Sequence, residues 1–140
     1  MRGKLVLLAF LCIACKEDEV PQGLYNYQVE RLLSGGTAKT WVLVSTNTDG
    51  STATPELCTD SLRLLITSVA TDSINITTLT PRLNCATFDS LDLGDANATG
   101  DLVFTDSINF ESGEVWVILN LSSLDLTIQT STESNTWIAN

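Results

Sequence analysis

Hydrophobic residues are spaced in three different ways along this chain, and each change of spacing marks a new part. From Leu5 to Ala14 they run unbroken (LVLLAFLCIA), ten residues preceded by Arg2 and Lys4. Lys16 to Gly23 is mostly charged or polar and ends in Pro21-Gln22-Gly23, with too little apolar surface to pack. Tyr25, Val29, Leu32 and Leu33 then fall at i, i+4, i+7 and i+8, the stripe of a short amphipathic helix over Leu24 to Leu33. Gly35-Gly36 supplies the left-handed stop that such a helix needs.

After Gly36 the spacing turns to that of strands. Thr40 to Thr46 (TWVLVST) is β-branched and aromatic and ends in Asn47-Thr48-Asp49-Gly50, a strong hairpin-turn signal. Ser61 to Ser68, Asp72 to Thr80, Thr87 to Leu93, Asp101 to Asp106, Glu114 to Leu121 and Ser123 to Gln129 repeat the theme at short intervals, and Thr136 to Ala139 closes the set. Seven or eight short strands, with turn residues between them and no second helical stretch, predict an antiparallel barrel or sandwich. Leu124, Leu126 and Ile128 alternate with Asp125, Thr127 and Gln129, so that strand has one buried and one wet face. Trp41 to Val44, Leu62 to Ile66 and Val115 to Leu119 are apolar on both faces. Their second face calls for a cover, either the helix and loops or a partner.

The apolar run at the start is shorter than the roughly 20 residues that span a bilayer. With basic residues before it and small Ala14 at its end, it reads as a secretory signal that is removed after use. The expected organisation is a cleaved signal over residues 1–14, a tether over 15–23, and one β domain over 24–140. Cys12 lies inside the signal and Cys15 directly after it, leaving Cys58 and Cys85 as the pair in the folded domain. In an exported chain such a remainder of two reads as one disulfide. Two thiolates with no His cannot complete a tetrahedral zinc site.

Cys12-Ile13-Ala14-Cys15 resembles the lipobox of bacterial lipoproteins, in which the final Cys is diacylated on sulphur and becomes the first residue. The resemblance implies that Cys15 carries lipid, and two or three acyl chains attach a protein stably to a membrane. Lys16-Glu17-Asp18-Glu19 is similar to the export signal of Bacteroidetes-type lipoproteins that are moved to the outer face of the outer membrane. Solvated charges beside a bilayer would also make a serviceable tether. Leu32 to Leu43 (LLSGGTAKTWVL), Cys58-Thr59-Asp60-Ser61-Leu62, and Glu114 to Ile118 followed by Leu124 to Ile128 resemble segments of small lipocalin-like lipoprotein domains of the same type. That resemblance implies an eight-stranded antiparallel barrel with a short N-terminal helix. An immunoglobulin-like sandwich is the alternative, although Cys58 to Cys85 is short for its inter-sheet bridge and encloses no Trp.

Composition narrows the function. The formal net charge is -10, and the signal removes two basic and no acidic residues, so the mature chain is more acidic still. Such a surface repels phosphate backbones and anionic headgroups, which argues against nucleic acid as a partner. The absence of His removes the commonest general base and metal ligand. A carboxylate pair at Glu111 and Glu114 remains, but it brackets Gly113 as an ordinary hairpin would, and no catalytic activity is expected.

An eight-stranded barrel is wide enough either to be filled by its own side chains or to hold one small ligand. Trp41, Phe104, Phe110 and Trp116 are the candidates to line a pocket for an apolar molecule or glycan, although a domain this small first needs such aromatics to fill its core. Asp95-Ala96-Asn97-Ala98-Thr99-Gly100, with Asp106 further on, places oxygens at positions 1, 3, 5 and 12 and Gly at 6, which resembles an EF-hand or dockerin calcium loop. An acidic hairpin loop gives the same letters. Asp-Ser followed by an aliphatic residue recurs at Ser61, Ser73, Ser90 and Ser107, and resembles the O-glycan acceptor pattern of exported Bacteroidetes-type proteins. Asp and Ser also favour turns for their own hydrogen-bonding reasons. The expectation is a surface lipoprotein with a non-catalytic binding role. Its alternative is an accessory subunit docked on a larger outer-membrane assembly through the doubly apolar strands.

Overall fold

The computed structural model describes residues 24–53, 62–82, 85–101 and 105–140. The expected signal and tether, Cys15, Cys58, Ser61 and Phe104 lie outside the described residues.

The chain opens with α1 (Asn26–Ser34), whose first turn is held by the Tyr25 N–H donating to the Gln28 side-chain oxygen at 2.9 Å. It stops at Gly35, which adopts the left-handed conformation (φ 64°) that costs glycine nothing. Val29 and Leu33 of the stripe are fully buried, whereas Tyr25 is 52 % exposed and belongs to the surface.

Nine strands follow: β1 (Ala38–Thr48), β2 (Ser51–Ala53), β3 (Arg63–Ala70), β4 (Ser73–Pro81), β5 (Phe88–Thr99), β6 (Ser107–Phe110), β7 (Val115–Leu121), β8 (Asp125–Gln129) and β9 (Ser134–Ala139). Each of β3 to β8 pairs antiparallel with its successor, β1 pairs with β3 from Ala38 to Val42, and β9 returns to β1. The result is a closed, up-and-down barrel of eight strands, with β2 as an extra strand on the far half of β1. The closing seam runs from Trp41↔Ala139 to Asn47↔Ser134. Closure leaves no hydrogen-bonding edge along that seam for another chain to extend.

Local chemistry explains the turns. Asp49 (φ 50°) and Gly50 (φ 81°) form the two-residue β1–β2 turn, in which both central residues need positive φ. Ile66, Ile74, Ile76, Ile108, Ile118, Leu126 and Ile128 are buried at alternate positions of their strands and fill the barrel with branched side chains. All the buried apolar residues described lie between Val29 and Trp137, so this segment carries a core of its own.

The helix does not lie on the outside of a sheet. Its Asn26 side chain accepts from the Gly100 N–H at 2.8 Å beyond the end of β5. The Leu33 carbonyl accepts from the Trp41 indole at 2.8 Å near the start of β1. Leu24, just before the helix, donates its N–H to Asp106 at the start of β6. These anchor points share one end of the barrel, so α1 stoppers that end. The helix is thus a lid on the core, as its short apolar stripe suggests, and does not cover the second face of a doubly apolar strand. Outside the barrel, Val44, Val115, Leu119 and Ile138 stay exposed.

Two strand assignments also change. Asp92 to Asp106 was expected to contain a loop, yet β5 continues to Thr99. Gly94 (φ 93°) sits in a bulge against Ile76 and Thr77, after which Ala96 and Ala98 point inward while Asp95 and Asn97 stay exposed. Small inward Ala and outward Asp and Asn have weak strand propensity, so pairing with β4 and β6 decides the outcome. Of the strand expected at Asp101 to Asp106, residues 102–104 lie outside the described residues, and the strand that is described begins at Ser107 (β6, Ser107–Phe110).

Candidate functional site

With one end of the barrel stoppered, the other end is where an opening forms. A cavity of about 170 Å³ lies there. Leu62 and Leu64 reach it from β3 and its approach, Leu93 from β5, Trp116 from β7, Ile128 from β8 and Trp137 from β9. Its polar residues include Thr130 and Glu133 in the β8–β9 turn and Asn135 at the start of β9. Two other grooves, of about 370 and 460 Å³, run beside α1 but are shallow and open to solvent.

The polar margin is internally bonded. Thr46 donates to Asn135 Oδ1 at 2.7 Å, and Asn135 Nδ2 donates to Glu133 Oε1 at 2.9 Å. This chain orients the Asn135 amide and spends its donor on the carboxylate. Glu133 is the one charged side chain lining the cavity among the described residues, so that lining presents a carboxylate and no cation.

The three tryptophans differ in how their indole N–H is satisfied. Trp41 donates to the Leu33 carbonyl. Trp116 donates to Glu114 Oε1 at 2.7 Å and packs edge-on against Phe110, centroids 4.8 Å apart. Trp137 is 4 % exposed, and its Nε1 is buried with no hydrogen-bond partner. Leaving a buried donor unpaired costs about 1–3 kcal/mol, and such groups are rare enough in native structures to need an explanation.

The aromatic residues expected to line one pocket are thus divided. Trp116 lines the cavity, and Phe110 supports it from behind. Trp41 is fully buried at the stoppered end, beneath the Lys39 ammonium 4.1 Å from its ring centroid, and is corrected to a core residue. Lys39 is shared between the carbonyls of Leu32 (3.2 Å) and Ser123 (2.6 Å), and burial lowers its pKa below the usual lysine value. Trp137 completes the cavity in place of Trp41. The alternation Asn135-Thr136-Trp137-Ile138 is the sequence signal for it, since the inward parity of β9 places Asn135 and Trp137 on one face.

The calcium loop is corrected as well. Asp95, Asn97 and Thr99 sit at alternate positions of an extended strand, where same-face neighbours are about 6.6 Å apart. Three such oxygens do not converge on an ion that needs ligands at roughly 2.3–2.6 Å. Two of them are engaged otherwise: Asp95 accepts from Asn75 at 3.0 Å, and Thr99 from Asn109 at 2.9 Å. Asp106 accepts the backbone N–H groups of Leu24 and Asp101 at 3.3 and 3.0 Å, which ties the helix to the barrel. No group of three or more acidic or Cys side chains suited to a metal occurs among the described residues.

Of the Asp-Ser sites, Ser90 is exposed on β5, while Ser73 and Ser107 are half-buried first residues of their strands. Cys85 lies in the β4–β5 connection, at the same end of the barrel as the cavity. No helix among the described residues is long and apolar enough to cross a membrane. No protein-family model matches this chain, and neither a curated protein nor a solved structure does.

Proposed function

We propose that this chain is an exported lipoprotein, acylated at Cys15 and held at the outer face of the outer membrane, whose barrel binds a small apolar molecule or the apolar face of a glycan without transforming it. The observation that carries the binding role is the cavity opposite α1, bounded by Trp116 and Trp137 beside the packed apolar core. Anchoring rests on the basic start, the apolar run and the placement of Cys15. In this reading Cys85 is bonded to Cys58, which would fasten the β4–β5 connection to the segment leading into β3 beside the opening. A chain-entropy account gives a crosslink of that span about 3–4 kcal/mol.

The test uses the mature chain with Cys15 removed, Lys16 to Asn140. Tryptophan emission should shift saturably on titration with small apolar rings or acyl chains, because Trp116 is only half-buried in the cavity wall. A flat titration across such a panel sinks the binding role. Intact-mass measurement on native material reports the lipid, and any glycan as a further increment. The second reading, docking on a larger outer-membrane protein, draws on the exposed Val44, Val115, Leu119 and Ile138. Stoichiometric co-purification of a membrane partner with the lipidated chain would favour it.

A further inference from the structure

We propose that the stoppered end of the barrel is a docking surface for the interface of a zwitterionic lipid bilayer, which turns the cavity at the other end toward the medium; the proposal rests on the anchoring at Cys15 given above. Two independent observations meet at this end. The first is where the tether enters. Leu24, the first described residue, donates its N–H to Asp106 at the stoppered end. Eight residues, Lys16 to Gly23, separate Leu24 from Cys15 and reach at most about 30 Å when fully extended. β1 has 11 residues, which at about 3.3 Å each and a tilt of roughly 40° make the barrel about 28 Å long. The mouth could touch the bilayer only with the tether drawn taut along the whole barrel. The stoppered end is the one the tether brings to the lipid.

The second observation is where the exposed apolar side chains stand. Tyr25 and Tyr27, exposed and stacked with ring centroids 5.9 Å apart, flank the point where the tether enters. Leu124, 65 % exposed, projects from the β7–β8 turn, which the Ala139 N–H and the Lys39 ammonium tie to the end of β9 and the end of α1. Leu119 borders one hollow with Leu24 and Asp106, and Val69 and Ile138 lie at the ends of β3 and β9 that reach this end. Of the exposed large apolar residues described, Val44, Leu91 and Val115 alone lie in the mouth half of their strands. Tyrosines suit the headgroup boundary, where one end of the ring is apolar and the other wet. The acidic chain selects a zwitterionic surface, since anionic headgroups repel it. A ring of side chains too weak to hold a free domain is enough to orient a tethered one, because a short tether keeps the two surfaces at a high effective concentration. With that end on the lipid, the ligand of the cavity arrives from the aqueous side.

The experiment places the native acylated chain in phosphatidylcholine nanodiscs that carry a gadolinium chelate on a fraction of their headgroups, and reads the loss of amide resonance intensity. Tyr27 and Leu124 should lose most of their intensity, while Gly113 and Thr132, in the β6–β7 and β8–β9 turns at the mouth, keep most of theirs. In the Tyr27→Ser, Leu124→Ser double variant the chain should stay on the disc, but the difference between the two ends should shrink. Val115→Ser, at the mouth, should leave that difference intact. Equal loss at both ends, or greater loss at the mouth, overturns the proposal and leaves the anchoring standing. An undiminished difference in the double variant also overturns it, by assigning the orientation to the tether alone. A dimer of the mature chain, Lys16 to Asn140, that the double variant abolishes overturns it by giving the surface to a second copy. A native chain that carries no lipid and does not join the discs ends the anchoring and the proposal together.

Discussion

Replacing Trp by Phe at positions 41 and 137 makes the same chemical change at two buried sites, and the structure gives the two changes opposite consequences. Trp41 is 0 % exposed and Trp137 4 %, so the loss of ring surface is closely matched and largely cancels in the comparison. At position 41, Phe removes a 2.8 Å bond and takes from the Leu33 carbonyl its indole donor, a loss of about 1–2 kcal/mol. It also gives Lys39 a weaker ring to face, which adds a few tenths of a kcal/mol. At position 137, Phe removes a donor that has no partner and so relieves about 1–2 kcal/mol of desolvation. Trp41→Phe should therefore cost about 3 kcal/mol more than Trp137→Phe. With a urea dependence of about 1–3 kcal/mol per molar for a domain of this size, the two midpoints should lie about 1–3 M apart at unchanged slope. Equal midpoints, or a lower midpoint for Trp137→Phe, would refute the assignment of the two indoles.

Three further outcomes follow from the stoppered end and from β5. A side chain at Gly100 would land on the Leu24 carbonyl, 2.6 Å from its carbon, so Gly100→Ala should lower stability by about 1–3 kcal/mol and raise amide exchange in α1 first; unchanged exchange there would count against the stopper. Burial lowers the folded-state pKa of Lys39, so between that value and the ordinary lysine value the unfolded chain binds the extra proton, and stability should rise with pH through that alkaline window. Lys39→Met should lose that rise in pH-dependent denaturation, and a wild-type slope of the opposite sign would contradict the burial. Millimolar calcium should leave the melting temperature unmoved, because Asp95, Asn97 and Thr99 are spread along an extended strand, and a clear increase would require a site that β5 does not provide.

Much of this architecture was legible in the letters, because hairpins are local. Asn47 to Gly50 announces the β1–β2 turn, and the alternation from Leu124 to Gln129 names the faces of β8. Gly35-Gly36 ends α1 where the stripe ends. What stayed hidden depends on partners distant in sequence. Residues 95 to 99 read as a loop because Asp, Asn and Ala suit one, and only β4 and β6 on either side make them a strand. Sequence patterning could not say whether Val29 and Leu33 pack beside the barrel or at its end, since the same stripe serves both. The cavity was half visible: Trp116 was singled out, but which of the other aromatics joins it depends on which end of the barrel each strand delivers it to. Trp41 and Trp137 both face inward, near the stoppered end and in the open cavity respectively.

The seam between β1 and β9 also dictates an order of events. Neighbouring hairpins can assemble as soon as their residues exist, but Thr46 meets Asn135 only across 89 positions of chain. Until β9 has been delivered, β1 and β8 each present an unpaired edge, and Trp41, Leu43 and Leu126 lack their neighbours on β9. A polypeptide passing through a membrane pore tail-last would therefore complete its shell in a single late step, with its final strand serving as the latch.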